Sequence, residues 1–156
     1  MRLNALFLLA IILLFSSCKD KEVANNELTN TDKTLTLEGT WELVSRYNYV
    51  DNKVSDSFGL DEGYRQVKMY SPTKVMWSRT RPADSTEWFG YGSYELNSDL
   101  NRLTEVLDYG SVMMSQIIDE EKEFVFELDL KENSFIQIEL DDDGNRVISE
   151  NYIRIE

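Results

Sequence analysis

From Glu38 onward, apolar and polar residues alternate in short runs and almost never recur at helical spacing. That period of two is the mark of pleated, half-buried strands. Eight runs qualify: residues 39–50 (GTWELVSRYNYV), 64–70, 74–80, 87–96, 102–110, 122–130, 134–140 and 146–156. Tyr, Val, Ile, Phe, Trp and Thr dominate them, residues that suit a strand. Turn chemistry separates several neighbours: Ser71-Pro72-Thr73, Asn97-Ser98-Asp99, Lys131-Glu132-Asn133, and the run from Asp141 to Asn145, whose Asp-Gly step predicts a hairpin. Connections this short make sequential strands antiparallel. One stretch breaks the pattern. In SVMMSQIIDEE, residues 111–121, Met113 with Ile117 and Met114 with Ile118 suit a helical turn or two, or else an extra extended piece.

Antiparallel strands in sequence order, with no long crossover, predict an all-β domain that is either a sandwich or an up-and-down barrel. Closure removes the exposed edges that invite aggregation, so an eight-stranded antiparallel up-and-down β-barrel is expected. Its interior has room for side chains or one small ligand. Alternation then sorts residues by face. With Trp41 inward, Leu43, Ser45, Tyr47 and Tyr49 share its side; Val75, Trp77 and Arg79 form a second stripe; Trp88, Gly90, Gly92, Tyr94 and Leu96 a third; Leu103, Glu105, Leu107 and Tyr109 a fourth. Gly90 and Gly92 predict a bulge or a close approach to the backbone. Glu105 is a carboxylate on an apolar stripe and needs a partner such as Lys68 or Arg79. Charged residues on both sides leave the inward faces of 64–70 and 146–156 open. Tyr47, Trp77, Arg79, Trp88, Tyr94 and Glu105 are the candidate ligand-binding residues, a mixture suited to a polar or amphipathic small molecule. The competing reading is that these aromatics fill a closed core and the charges lie on the surface.

The first residues follow other rules. Arg2 precedes an apolar run from Leu3 to Phe15, interrupted only by Asn4, and Ser16-Ser17 lead into Cys18. A helix over that run reaches roughly 20 Å, short of a bilayer core of roughly 30 Å. Residues 1–17 therefore read as a signal peptide. The sequence LLFSSC resembles the lipobox of bacterial lipoproteins, with Phe15 where that family usually has Leu. The resemblance implies acylation of Cys18 and attachment to a membrane through the lipid. Residues 18–37, charged and rich in Asn and Thr, read as a flexible tether, which leaves 38–156 as the folded domain. CKDKE also resembles the Lys-then-acid patch of some Gram-negative surface-exposed lipoproteins, and Lys19 stands where inner-membrane retention would call for Asp. An outer-membrane location, periplasmic or surface-exposed, is implied.

Composition narrows the chemistry. The chain has no histidine and a single cysteine. Ser-His and Cys-His catalysis, histidine acid-base work, the usual zinc sites and disulfides are all removed. Carboxylate pairs arise by chance among 29 acids, so no enzyme and no cofactor are expected. The net charge of -13 becomes -14 when Arg2 leaves with the signal peptide. Such a surface repels phosphate backbones and argues against nucleic acid. In ELDDDGNRVISE, Glu139, Asp141, Asp143, Gly144 and Glu150 occupy calcium-loop spacing. Glu at the first position, Arg146 at an apolar one and strands on both sides favour a tight acidic hairpin without metal.

Gly39-x-Trp41 at the start of the first strand, eight strands across 38–156 and a last strand ending YIRI are similar to the calycin group, in particular bacterial lipocalin-like lipoproteins. The segments MYSPTKVMWSR and WFGYGSYEL carry the same resemblance. It implies that Gly39, Trp41 and Arg154 close one barrel end, with the guanidinium over the indole, a contact of up to about 2 kcal/mol when desolvated. It also implies non-covalent binding or carriage of a small ligand in the cell envelope. The alternative is a filled barrel that offers its rim or acidic wall to another envelope protein.

Overall fold

The computed structural model describes residues 35–60, 63–82 and 86–156. The predicted signal peptide, Cys18 and the tether up to Thr34 lie outside the described residues. Nine strands make one sheet: β1 (Gly39–Val50), β2 (Lys53–Phe58), β3 (Arg65–Tyr70), β4 (Lys74–Arg81), β5 (Thr86–Asn97), β6 (Arg102–Gly110), β7 (Glu123–Leu130), β8 (Ser134–Leu140) and β9 (Arg146–Arg154). All pairings are antiparallel, and β1 bonds to β9 from Trp41 to Asn48, so eight strands close into a barrel. The eight predicted runs coincide with β1 and β3 to β9 to within two residues at either end.

Strand β2 was not foreseen. It turns back from β1 through Asp51 and Asn52, both at positive φ (49° and 59°), as a tight two-residue hairpin requires. It pairs with Arg46 to Val50, on the same edge of β1 that carries β3 at Gly39 to Glu42. All six of its residues are exposed, so no face of it had to be apolar. The ambiguous stretch forms a helix, α1 (Val112–Glu120), capped by Ser111, whose hydroxyl accepts from Met114 N. Met114 and Ile118 are its buried face, and Met113 and Ile117 stay exposed.

Two slips in register correct the face assignments. Between Leu43 and Ser45 the β1–β9 pairing shifts by one residue. Beyond that bulge Arg46 turns into the lumen, where it bonds Gln66 and Glu150. Ser45, Tyr47 and Tyr49 therefore leave the face of Trp41, contrary to plain alternation. A second slip between β5 and β6 at Tyr91/Gly92 sends Tyr109 outside, where it packs on Tyr91 at 5.2 Å. Gly92 sits at this slip, and a Cβ there would lie 1.9 Å from Val106 O.

The turns after β3, β5 and β7 gather at one end, and that end is packed solid. Leu37, Trp41, Tyr70, Val75, Leu103, Phe135 and Tyr152 are buried there. Phe135 meets Trp41 edge-on at 5.0 Å and stacks on Tyr152 at 4.6 Å. The Trp41 indole donates to Leu37 O at 2.6 Å. Leu37, assigned to the tether from sequence, is thus fully buried against the barrel. The Arg154 guanidinium lies 4.0 Å from the Trp41 ring centre and reaches Glu132 O and Thr36 O at 2.9 and 3.0 Å. Gly39, at φ +130°, leaves room for it: a Cβ there would fall 2.4 Å from Arg154 Nη1.

Candidate functional site

Above the aromatic plug the lumen turns polar. β3 sends Gln66, Lys68 and Tyr70 inward, which settles the face that sequence left open, and β9 sends Glu150 and Tyr152. Lys68 Nζ donates to both oxygens of Glu105 at 2.9 and 3.0 Å and to Gln137 Oε1 at 2.8 Å. Tyr70 adds its hydroxyl to Glu105 at 2.5 Å. Lys68 is thus the partner that the lone carboxylate on β6 required. Beside this cluster Glu150 accepts from Arg46 Nη2 at 2.6 Å, Tyr152 OH at 2.6 Å, Gln137 Nε2 at 3.0 Å and Gln66 Nε2 at 3.1 Å. Two cations face two carboxylates; Gln137 bridges the two pairs, and Gln66 braces the Arg46–Glu150 pair.

The electrostatics follow from burial and neighbours. Burial works to raise the Glu150 carboxyl, but Lys68 and Arg46, with the Tyr152 and Arg46 hydrogen bonds, hold it below its ordinary value. Burial first, and then the adjacent carboxylates of Glu105 and Glu150, push the Tyr70 and Tyr152 hydroxyls well up. Both phenols stay protonated and donate. Its carboxylates are satisfied, so the layer is a floor rather than a reactive pair.

Over this floor lies a cavity of about 830 Å³, open at the end opposite Trp41. Trp77 and Arg79 of β4, Leu107 of β6, Phe124 and Phe126 of β7 form its walls, and Met114, Ile117 and Glu121 border it from the helix side. A glycine makes one wall fit: a Cβ on Gly90 would come within 2.8 Å of Trp77 Nε1, so its absence lets the indole lie against β5. Glu139 of β8 lines the same space. Partial burial, and then Glu150 and Glu121, push its carboxyl above its ordinary value. An adjoining cavity of about 610 Å³ shares Arg46, Arg79 and Ile148 with the first and adds Asn48, Phe58, Leu60, Tyr64 and Trp88. Arg79 lies over the Trp88 ring at 4.3 Å. Both volumes fall in the range of small-molecule sites, about 300–1,000 Å³.

Of the candidate ligand-binding residues, Trp77, Arg79 and Glu105 meet on the larger cavity, and Trp88 joins Arg79 on the smaller. Tyr94 does not join them. It sits at the packed end, its hydroxyl on Ser71 O at 3.0 Å and its ring edge-on to Tyr70 at 4.9 Å. Tyr47 lies on the outer side of the β1 bulge. Arg46, Gln66, Tyr64, Phe124, Phe126, Glu139 and Glu150 belong to the site and escaped sequence reasoning. The alternation of β7 alone could have found Phe124 and Phe126, whereas Arg46 was hidden by the bulge.

The acidic hairpin is self-contained. Asp141 Oδ1 accepts from Asp143 N at 3.0 Å and Asn145 N at 2.7 Å. Those hydrogen bonds, Asn145's first, hold its carboxyl low. Among the described residues no group of three His, Cys, Asp or Glu is placed to hold a metal ion.

The fold and the site together define a closed, eight-stranded antiparallel barrel, plugged at one end and hollow at the other. Comparison with protein families, with curated proteins and with solved structures returned no match.

Proposed function

We propose that the protein is a lipocalin-like lipoprotein of the cell envelope, held by an acylated Cys18 on the outer membrane, which binds or carries a small polar or amphipathic ligand without covalent chemistry. The observation that carries this reading is the 830 Å³ cavity with aromatic walls above a polar floor whose carboxylates are already paired. A core that only had to be stable would gain more from apolar side chains filling that space. The lipobox resemblance supports the anchor, and the Gly-x-Trp and Arg154 arrangement agrees with the calycin resemblance.

A second reading, an interaction module of the envelope, draws on β2. This strand pairs only with β1 among the described residues and presents a free edge. Native mass spectrometry of the protein isolated from its own cells separates the two. Carriage requires a reproducible added mass below 1 kDa or so on a chain whose first residue is a lipid-modified Cys18. A barrel that is empty in every preparation, co-isolating with another protein, favours the interaction module.

A further inference from the structure

We propose that the ligand of this barrel carries an anionic head group, a carboxylate or a phosphate, which docks on Arg46 and Arg79 at the wall shared by the two cavities, with its apolar body along Trp77, Phe124 and Phe126. This deepens the carrier reading and rests on it.

Arg46 supplies the first observation. Its Nη2 is engaged, at 2.8 Å with Gln66 Oε1 and 2.6 Å with Glu150 Oε1. Its Nε is buried and has no hydrogen-bond partner. A buried N–H left unpaired is costly, more so on a charged group, and nearly every such donor in a native protein finds an acceptor. Arg79 supplies the second. Its face lies on Trp88 at 4.3 Å, which fixes the plane, and of the five in-plane N–H donors of a guanidinium one is engaged by the Tyr64 hydroxyl. Among the described residues it forms no salt bridge. Both residues line both cavities. A planar fork of donors matches a carboxylate or phosphate and has nothing to offer an ammonium.

Of the carboxylates that border the larger cavity, two are paired within the floor, and Glu121, Asp141 and Asp142, at the helix end and in the acidic hairpin, join Glu139. Glu105 is bound to Lys68 and Glu150 to Arg46. Glu139 stands on β8, four strands round the barrel from β4 and so across the cavity from Arg79. A cationic ligand would be drawn to that side instead, which gives the test its contrast.

The probes are 4-phenylbutyrate, 4-phenylbutyl phosphate, 4-phenylbutanol and 4-phenylbutylamine, titrated calorimetrically into the full-length protein with empty nanodiscs as blank. At least one anion should bind ten times tighter than the alcohol and the amine, and whichever anion is preferred distinguishes a carboxylate from a phosphate source. Arg79→Gln should weaken that anion about tenfold and leave the alcohol within twofold; Arg79→Lys, which keeps the charge but loses the fork, should fall between. Equal or tighter binding of the alcohol or amine overturns the anion assignment and leaves carriage standing. So does an anion affinity untouched by Arg79→Gln. If no probe binds, the assignment fails, and an added mass on the native protein then shows whether carriage fails with it.

Discussion

Lys68 and Glu105 are each about 3% exposed, so each charge has lost its water and depends on the other. Removing one partner leaves the other buried and unpaired. Lys68→Met should destabilise the barrel by about 3–5 kcal/mol, and adding Glu105→Gln to it should recover a large part, as read from urea unfolding midpoints. The carboxylates also set the pH dependence. Glu150 titrates low in the fold, so its contribution is fully present above the ordinary glutamate pKa of about 4.3 and is lost as pH falls through its folded value. Glu139 is shifted the other way and destabilises the fold above its raised pKa, an effect that fades as pH falls toward about 4.3. Glu139→Gln should therefore stabilise the protein at pH 7 by about 0.5 kcal/mol, a small figure because the side chain is well solvated. The difference from the parent should vanish near pH 4; a gain that grows on acidification would contradict the assignment. Glu105 was legible in the sequence because a carboxylate on an apolar stripe must have a partner. Arg46 was not, because its orientation depends on a one-residue slip that no glycine or proline announces.

At the level of elements, strands with one apolar face declared themselves by alternation, whereas β2 had no face to bury and so left little pattern. Its physical poverty is its best test. With every residue exposed and β1 as its one partner, β2 should open independently of the barrel. In native-state hydrogen exchange its amides should be the least protected of any strand, and Val54→Thr should change global stability by no more than about 0.5 kcal/mol. Protection equal to that of β8 would mean that β2 belongs to the closed sheet. The stretch that forms α1 was ambiguous between a helical turn or two and an extended piece, and the pairs Met113 with Ile117 and Met114 with Ile118 left its buried face open as well. Packing of Met114 on Gly110 decides between them, since a Cβ on that glycine would lie 2.8 Å from Met114 Cβ.

For the whole molecule, closure was legible in the sequence: short connections force neighbours antiparallel, and a closed sheet is the arrangement of such strands that exposes no edge. The division of the lumen was less so. One end is filled by Trp41, Phe135 and Tyr152, the middle by paired charges, and the far end is hollow. Strand periodicity assigns a residue to a face but not to a height along the barrel, which is why Tyr94 was grouped with Trp88 and proves to lie at the plugged end. The chain's three tryptophans sample this division directly: Trp41 is sealed in the plug, Trp77 lines the larger cavity and Trp88 the smaller. Their indole N–H resonances, followed by two-dimensional NMR while the small-molecule fraction of an extract of the protein's own cells is added, give the most direct test of a ligand site at the open end. The signals of Trp77 and Trp88 should shift saturably while that of Trp41 stays in place. Three unmoved signals at saturating extract, or a shift confined to Trp41, would contradict it.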